Sequence, residues 1–211
     1  MKALRKMQGF HHECSDLFSA HGFDFLNNLG RRNIVMSHAQ EKYFAEVLAE
    51  TLGDVVSDGR TGQSDIFIPG LTKELECKLT SRHKSGCISL QSDYETLLRK
   101  GSLDYLYVIA DDSFEKFAVL HFCGLTVDDF RGVSNGSRGK VAMKKHAGMK
   151  KCHVLVGEAV NLNEKYVSSY EEKIKNPRIW EKTREKYRDK IREWKMKPAV
   201  YSFELEKIGE D

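Results

Sequence analysis

The chain has 211 residues, 40% of them hydrophobic and 31% charged, with 34 basic against 31 acidic side chains and a net charge of +3. This balance excludes a disordered or fibrous chain and describes a globular protein with a heavily charged surface, expected to fold as one domain over 1–211. No apolar run approaches the roughly 18 residues of a membrane helix, the opening MKALRKMQGFHHECSD lacks the apolar stretch of a secretory leader, and the five cysteines form no C-x-x-C pair, so a cytoplasmic protein with reduced thiols and no membrane partner is expected.

In chain order, Leu4, Met7, Phe10, Cys14 and Leu17 recur in steps of three and four, which predicts an amphipathic helix whose stripe meets the core or a dimer seam. His11, His12 and Cys14 match no common zinc spacing, and the two histidines are read as surface residues. Gly30 reads as a break. Ser37 then leads into a second helix over 38–52, ended by Gly53, with Glu41, Phe44, Ala45, Leu48 and Leu52 inward.

Beyond this helix the hydrophobic period changes to two. Residues 65–68 and 74–79 are predicted to pair as a hairpin across the turn-forming Pro69, Gly70, Leu71 and Thr72. Ser92 and Glu95 form a capping box for a short helix carrying Tyr94, Leu97 and Leu98, and Gly101 stops it. The apolar run LDYLYVIA over 103–110 predicts a strand buried on both faces, and 117–122 a further strand. A short helix after Thr126, a glycine-rich loop over 131–139 and a strand over 152–156 follow. Past the breaker Asn176-Pro177, the residues Trp180, Tyr187, Ile191 and Trp194 stripe a long charged helix, and 199–205 alternates like a strand.

The chemistry concentrates in the hairpin. Strand residues two apart share a face, so Glu76 and Lys78 project together while Leu75, Cys77 and Leu79 turn to the apolar side. Asp65, on the preceding strand, comes beside Glu76, and paired carboxylates hold divalent metals through hard oxygen donors. The alternative is an exposed hairpin face carrying a weak Glu–Lys ion pair.

Ser64-Asp65 followed by Glu76-Cys77-Lys78 resembles the motif of the PD-(D/E)XK nuclease superfamily, with Ser64 in place of the usual proline. The order of elements over about 38–122 agrees with that family's helix, meander, helix and strand, although the third meander strand has no clear counterpart in the pattern. The resemblance implies an α/β, restriction-endonuclease-like core with a central mixed β-sheet flanked by helices, extended here by a C-terminal helix and strand. It also implies a Mg²⁺-dependent endonuclease. Asp65 and Glu76 would bind one or two Mg²⁺ with the Cys77 backbone carbonyl, Lys78 would serve the attacking water, and Glu41 would be an added carboxylate from the helix. Gln91 has two readings, an auxiliary site residue or a capping and surface one.

Charge distribution points to the substrate. Over 130–157 there is no Asp or Glu, whereas Arg131, Arg138, Lys140, Lys144, Lys145, Lys150 and Lys151 all fall in that window, a block suited to a polyanion or, in the plainer reading, to solvent. Asn135 and Arg138 have donors for base edges, and the lysines suit phosphates. Arg82, His83 and Lys84 either clamp the backbone near the cut or form a solvated turn. The expected partner is double-stranded DNA, cut by a homodimeric, sequence-specific type II restriction enzyme whose additions over about 123–211 read the site. A structure-selective repair or resolvase-like nuclease and a non-catalytic DNA-binding module are the alternatives.

Overall fold

The first helix, α1 (Lys2–Ala20), buries Ala3, Leu4, Met7 and His11. Its stripe runs 4, 7, 11, 14, 18, so Phe18 packs on the core while Leu17 is exposed; the 3.6-residue period carries position 18, not 17, back to the inward face. The stripe meets the core of its own chain, and His11 is buried, correcting its reading as a surface residue. The second helix, α2 (Leu29–Leu52), starts well before Ser37 because the Asn28 side chain caps it by accepting the Arg31 N–H at 3.3 Å. Gly30 therefore sits in its first turn, and Ser37 lies mid-helix with its hydroxyl on the Ile34 carbonyl.

The computed structural model describes residues 1–57, 63–81, 88–134, 136 and 139–209. After α2 come β1 (Val56–Ser57), β2 (Ile66–Ile68), a 3₁₀ turn at Pro69–Leu71 and β3 (Lys73–Ser81). β1, β2 and β3 form an antiparallel meander in which Ile66 faces Leu75 and Ile68 faces Lys73. β1 is a strand that the hydrophobic pattern left unassigned. It is two residues long and exposed, so no alternation marks it.

Next are β4 (Gln91–Asp93), α3 (Tyr94–Lys100), β5 (Leu103–Ala110) and β6 (Lys116–Leu125). Asp93, not Ser92, caps α3 by accepting the Thr96 N–H at 2.9 Å. Ser92 is drawn instead into the interior, where its hydroxyl meets the Tyr105 hydroxyl at 2.6 Å. β5 pairs parallel with β3 and antiparallel with β6. β7 (Lys140–Ala142), α4 (Lys145–Gly148) and β8 (Cys152–Val156) follow; β7 pairs with β4 and β8 with β6.

Among the described residues, the central sheet runs β1-β2-β3-β5-β6, with β8 and the terminal β11 (Glu206–Lys207) both pairing with β6. Its mixed strands and flanking helices make the architecture α/β. Leu75, Cys77, Leu106, Val108, Ala110 and Val119 point from the sheet to a core shared with Leu4, Met7, Met36, Ala39 and Ala45 of the two long helices. No helix of the described residues is long and apolar enough to cross a membrane.

The chain divides into two compact units, Met1–Glu158 with Leu205–Asp211, and Ala159–Glu204. In the second, β9 (Glu158–Asn161) pairs with β10 (Tyr201–Glu204), and between them run α5 (Leu162–Lys175) and α6 (Glu181–Met196). Asn163 is buried there; its amide reaches the carbonyls of Trp194, Lys197 and Pro198 at 3.0–3.2 Å, and its oxygen accepts the Val200 N–H. Tyr166 stacks on Trp194 with ring centroids 4.6 Å apart. Trp180 stands at the N-cap of α6 and is 83% exposed, outside the stripe that the spacing assigns to it.

Candidate active site

Asp65 lies one residue before β2, opposite Glu76 by extension of the Ile66–Leu75 register. Its Oδ2 accepts the Cys77 backbone N–H at 2.7 Å, which holds the carboxylate against β3. On β3, Glu76 and Lys78 share a face and join through a 2.5 Å contact between Lys78 Nζ and Glu76 Oε1, with side chains 14% and 27% exposed. The alternating pattern builds this face directly: Leu75 and Cys77 are buried on the other side. Glu41, 16% exposed, projects from α2 and pairs with His38 at 3.8 Å.

The electrostatics mark the cluster as short of positive charge. Burial, reinforced by the neighbouring Glu76 carboxylate, pushes the Asp65 carboxyl up to about 6, against the opposing pull of Lys78. Burial raises the Glu41 carboxyl as well, against the pull of His38 and, next, of Lys78, while Glu76 pushes it up further, so it belongs to the same electrostatic group. For Lys78, burial disfavours the ammonium, but the charge and hydrogen bond of Glu76 together with Asp65 outweigh it and raise its affinity for the proton. Three carboxylates therefore face one ammonium, and hard oxygen donors with surplus negative charge fit Mg²⁺. The Cys77 side chain is buried in the core, and burial pushes its thiol well above the ordinary value; only its backbone carbonyl is suited to a metal.

Around this face the parallel register sets Tyr105 beside Glu76 and Tyr107 beside Lys78. Both are buried, their hydroxyls bonded to Ser92 and to the Gln91 carbonyl. Gln91 itself is exposed, on β4 opposite Ala142. In the same ribbon Asp93 faces Lys140, and its carboxyl, held down chiefly by the Thr96 N–H, also feels Lys140 and Lys78. The first basic residue of β7 thus lies on the Glu76–Lys78 side.

The rest of the basic block is mixed. Lys140 and Lys150 are exposed. Lys144 donates to the Asp128 carbonyl, and Lys145 opens α4. Lys151 is tied to Asp129 at 2.7 Å and to the Gly124 carbonyl, a packing role the charge run did not reveal. Arg82, His83, Lys84, Asn135 and Arg138 lie outside the described residues.

Two buried polar residues of α2 are not flagged by any motif. Gln40 donates to the Leu106 carbonyl at 3.0 Å, and Arg32 spans the Asp112 carbonyl and the Ser81 hydroxyl while lying over the Phe114 ring. Their signal is the four-residue step Arg32, Met36, Gln40, which puts both on the inward face. No family model matches the chain, and no curated protein or solved structure matches it either.

Proposed function

We propose that the protein is a Mg²⁺-dependent endonuclease acting on double-stranded DNA, with Asp65, Glu76 and Lys78 as its centre and Glu41 as a supporting carboxylate. The observation that carries this reading is the convergence of Asp65 and Glu76 beside Lys78, with the Asp65 carboxyl pushed up to about 6 by burial and by Glu76. An exposed hairpin ion pair would not leave a carboxylate strained in this way; surplus buried negative charge is what a cation site requires. The succession of α2, an antiparallel β1-β2-β3 meander, α3 and β5 parallel to β3 supports a restriction-endonuclease-like core.

Asp65 and Glu76 would hold one or two Mg²⁺ with the Cys77 carbonyl. A bound Mg²⁺ supplies Lewis-acid polarisation of the scissile phosphate and an acidified water. In the metal-free protein Glu76 and Asp65 hold Lys78 as an ammonium, and as a cation it would orient the attacking water and offset charge on the pentavalent transition state. Tyr105 and Tyr107, paired with Glu76 and Lys78 on the neighbouring strand, flank the site on the same face with buried rings.

Lys140, on the same side as Glu76 and Lys78, and the exposed Lys150 fit phosphate contacts. We favour a sequence-specific restriction enzyme working as a homodimer, so that two sites cut two strands, because the chain continues well beyond the strands that carry the site. The test is incubation of purified protein with sequenced plasmid in Mg²⁺. Discrete, reproducible fragments that vanish with Glu76→Gln support the reading, structure-dependent nicking favours a repair nuclease, and Mg²⁺-independent binding without cleavage refutes catalysis.

A further inference from the structure

On the opposite face of the sheet, three side chains that lie far apart in sequence converge. Asp104 of β5 and His121 and Cys123 of β6 offer one ligand atom each, all within 4.8 Å of one another. Strand alternation puts His121 and Cys123 on one side of β6, and the β5–β6 pairing brings Asp104 to them. The Cys123 sulfur lies 3.8 Å from a His121 ring nitrogen. Sulfur and nitrogen donors on one tetrahedral Zn²⁺ stand about 3.5 Å apart, given Zn–S near 2.3 Å and Zn–N near 2.0 Å. A small side-chain adjustment would therefore close the set on a metal.

We propose that Asp104, His121 and Cys123 form a second metal centre, selective for a borderline-soft divalent ion such as Zn²⁺ and separate from the carboxylate site around Glu76. Thiolate and imidazole donors favour Zn²⁺ over Mg²⁺, whereas the Asp65–Glu76 pair has only hard oxygens, so the two sites sort the two ions. Asp104 is held in an orientation that suits a ligand, because its Oδ1 accepts the Gly124 backbone N–H at 2.7 Å, the kind of outer hydrogen bond that positions a ligating carboxylate. Its Oδ2 meets the Lys73 ammonium at 3.2 Å; Lys73 is 60% exposed and can withdraw into water when a divalent cation takes its place. Binding converts the Cys123 thiol to a thiolate and releases its proton to solvent.

All three side chains border a cavity of about 580 Å³ whose walls include Leu4, Phe44, Leu48, Leu106, Val119 and Val156. Three protein ligands leave the fourth position of a tetrahedral ion open to water from this cavity, the arrangement of an exchangeable rather than a sealed structural site. The proposal is independent of the nuclease reading.

The test uses chelator-stripped full-length protein with excess Mg²⁺ to fill hard-oxygen sites. Zn²⁺ is titrated in, with stoichiometry measured by elemental analysis, and Co²⁺ serves as a spectroscopic probe. One Zn²⁺ per chain and a thiolate-to-cobalt charge-transfer band are expected, the band lost in Cys123→Ser. Zn²⁺ affinity should fall at least about tenfold in each of Cys123→Ser, His121→Ala and Asp104→Asn, and stay unchanged in the Asp65→Asn, Glu76→Gln double variant. Metal-free circular dichroism of each variant matched to the wild type establishes that the fold is kept. A cobalt spectrum without the thiolate band, or Zn²⁺ affinity that survives Cys123→Ser and His121→Ala together, overturns the proposal.

Discussion

The Asp65 carboxylate reaches across the β2–β3 hairpin to accept the Cys77 backbone N–H at 2.7 Å, and this contact holds it beside Glu76, where burial and repulsion raise its proton affinity. An anion fixed in place but poorly compensated costs stability until a cation or a proton arrives.

Asp65 should therefore have a measurable pH signature. Its folded value of about 6 exceeds the ordinary 3.8, so the folded state binds the proton more tightly and stability is lost as pH rises through that window. Asp65→Asn keeps an oxygen for the Cys77 N–H and removes the charge. In metal-free buffer at pH 8 it should be more stable than wild type by up to roughly 3 kcal/mol, the advantage shrinking towards pH 4. Urea melts at the two pH values measure this; equal stability at pH 8 would remove the strain argument.

His11 should act in the opposite sense. It is buried against the Phe114 ring, with centroids 4.5 Å apart, and burial, helped by Arg32 and His12 against the pull of Asp111, lowers its ring to about 4. A depressed histidine contributes stability that is present above pH 6.5 and lost as pH falls through about 4. The windows of His11 and Asp65 overlap with opposite signs, so wild type should show a flat profile between pH 6 and 4 relative to either variant. His11→Phe should gain stability on acidification in this range, and Asp65→Asn should lose it.

Lys78 and the carboxylates should separate binding from chemistry. Glu76→Gln is expected to abolish both metal-dependent DNA binding and cleavage. Lys78→Met should cut the cleavage rate by about 10²–10³-fold while DNA binding in Ca²⁺ persists, because the ammonium is no ligand. Single-turnover cleavage with Mg²⁺ and gel shifts with Ca²⁺ make the comparison. Full activity in Lys78→Met would assign the water to another group.

Among the lysines, exposure decides the expected role. Lys140→Ala with Lys150→Ala should lower DNA affinity for every sequence and reduce the slope of log affinity against log salt by about 2, given roughly 0.9 for each phosphate contact. Lys151→Ala should act on the fold, because it leaves the Asp129 carboxylate, of which 9% of the side chain is exposed, with its Thr126 hydrogen bonds but no cationic partner, and the melting temperature should drop with little change in the salt slope.

In the Ala159–Glu204 unit, Asn163→Ala removes the amide that ties α5 to the carbonyls at the end of α6. A loss of about 2–4 kcal/mol is expected within this unit, from several stranded carbonyls and one stranded N–H. Hydrogen exchange should show it as faster exchange confined to α5 and α6, with the central sheet unchanged.

The sequence by itself determined what local periodicity encodes. The alternation in Glu74 to Leu79 set which face carries Glu76 and Lys78, the turn chemistry of Pro69 and Gly70 joined the two strands, and the continuous run from Leu103 to Ala110 marked the buried strand. What the sequence could not determine were relations that exist only after distant segments pair. β1 carries two exposed residues and became a strand solely by pairing with β2. The exchange of Ser92 for Asp93 at the cap of α3 followed from the attraction of a buried tyrosine hydroxyl. Lys151 looked like its basic neighbours until Asp129, 22 residues away, took its charge. Asp104, His121 and Cys123 come together only through β5–β6 pairing, since no local spacing brings an aspartate to two residues 17 and 19 positions further on. Periodicity reports the side on which a residue lies; tertiary pairing decides its neighbours, and neighbours set charge, metal affinity and burial.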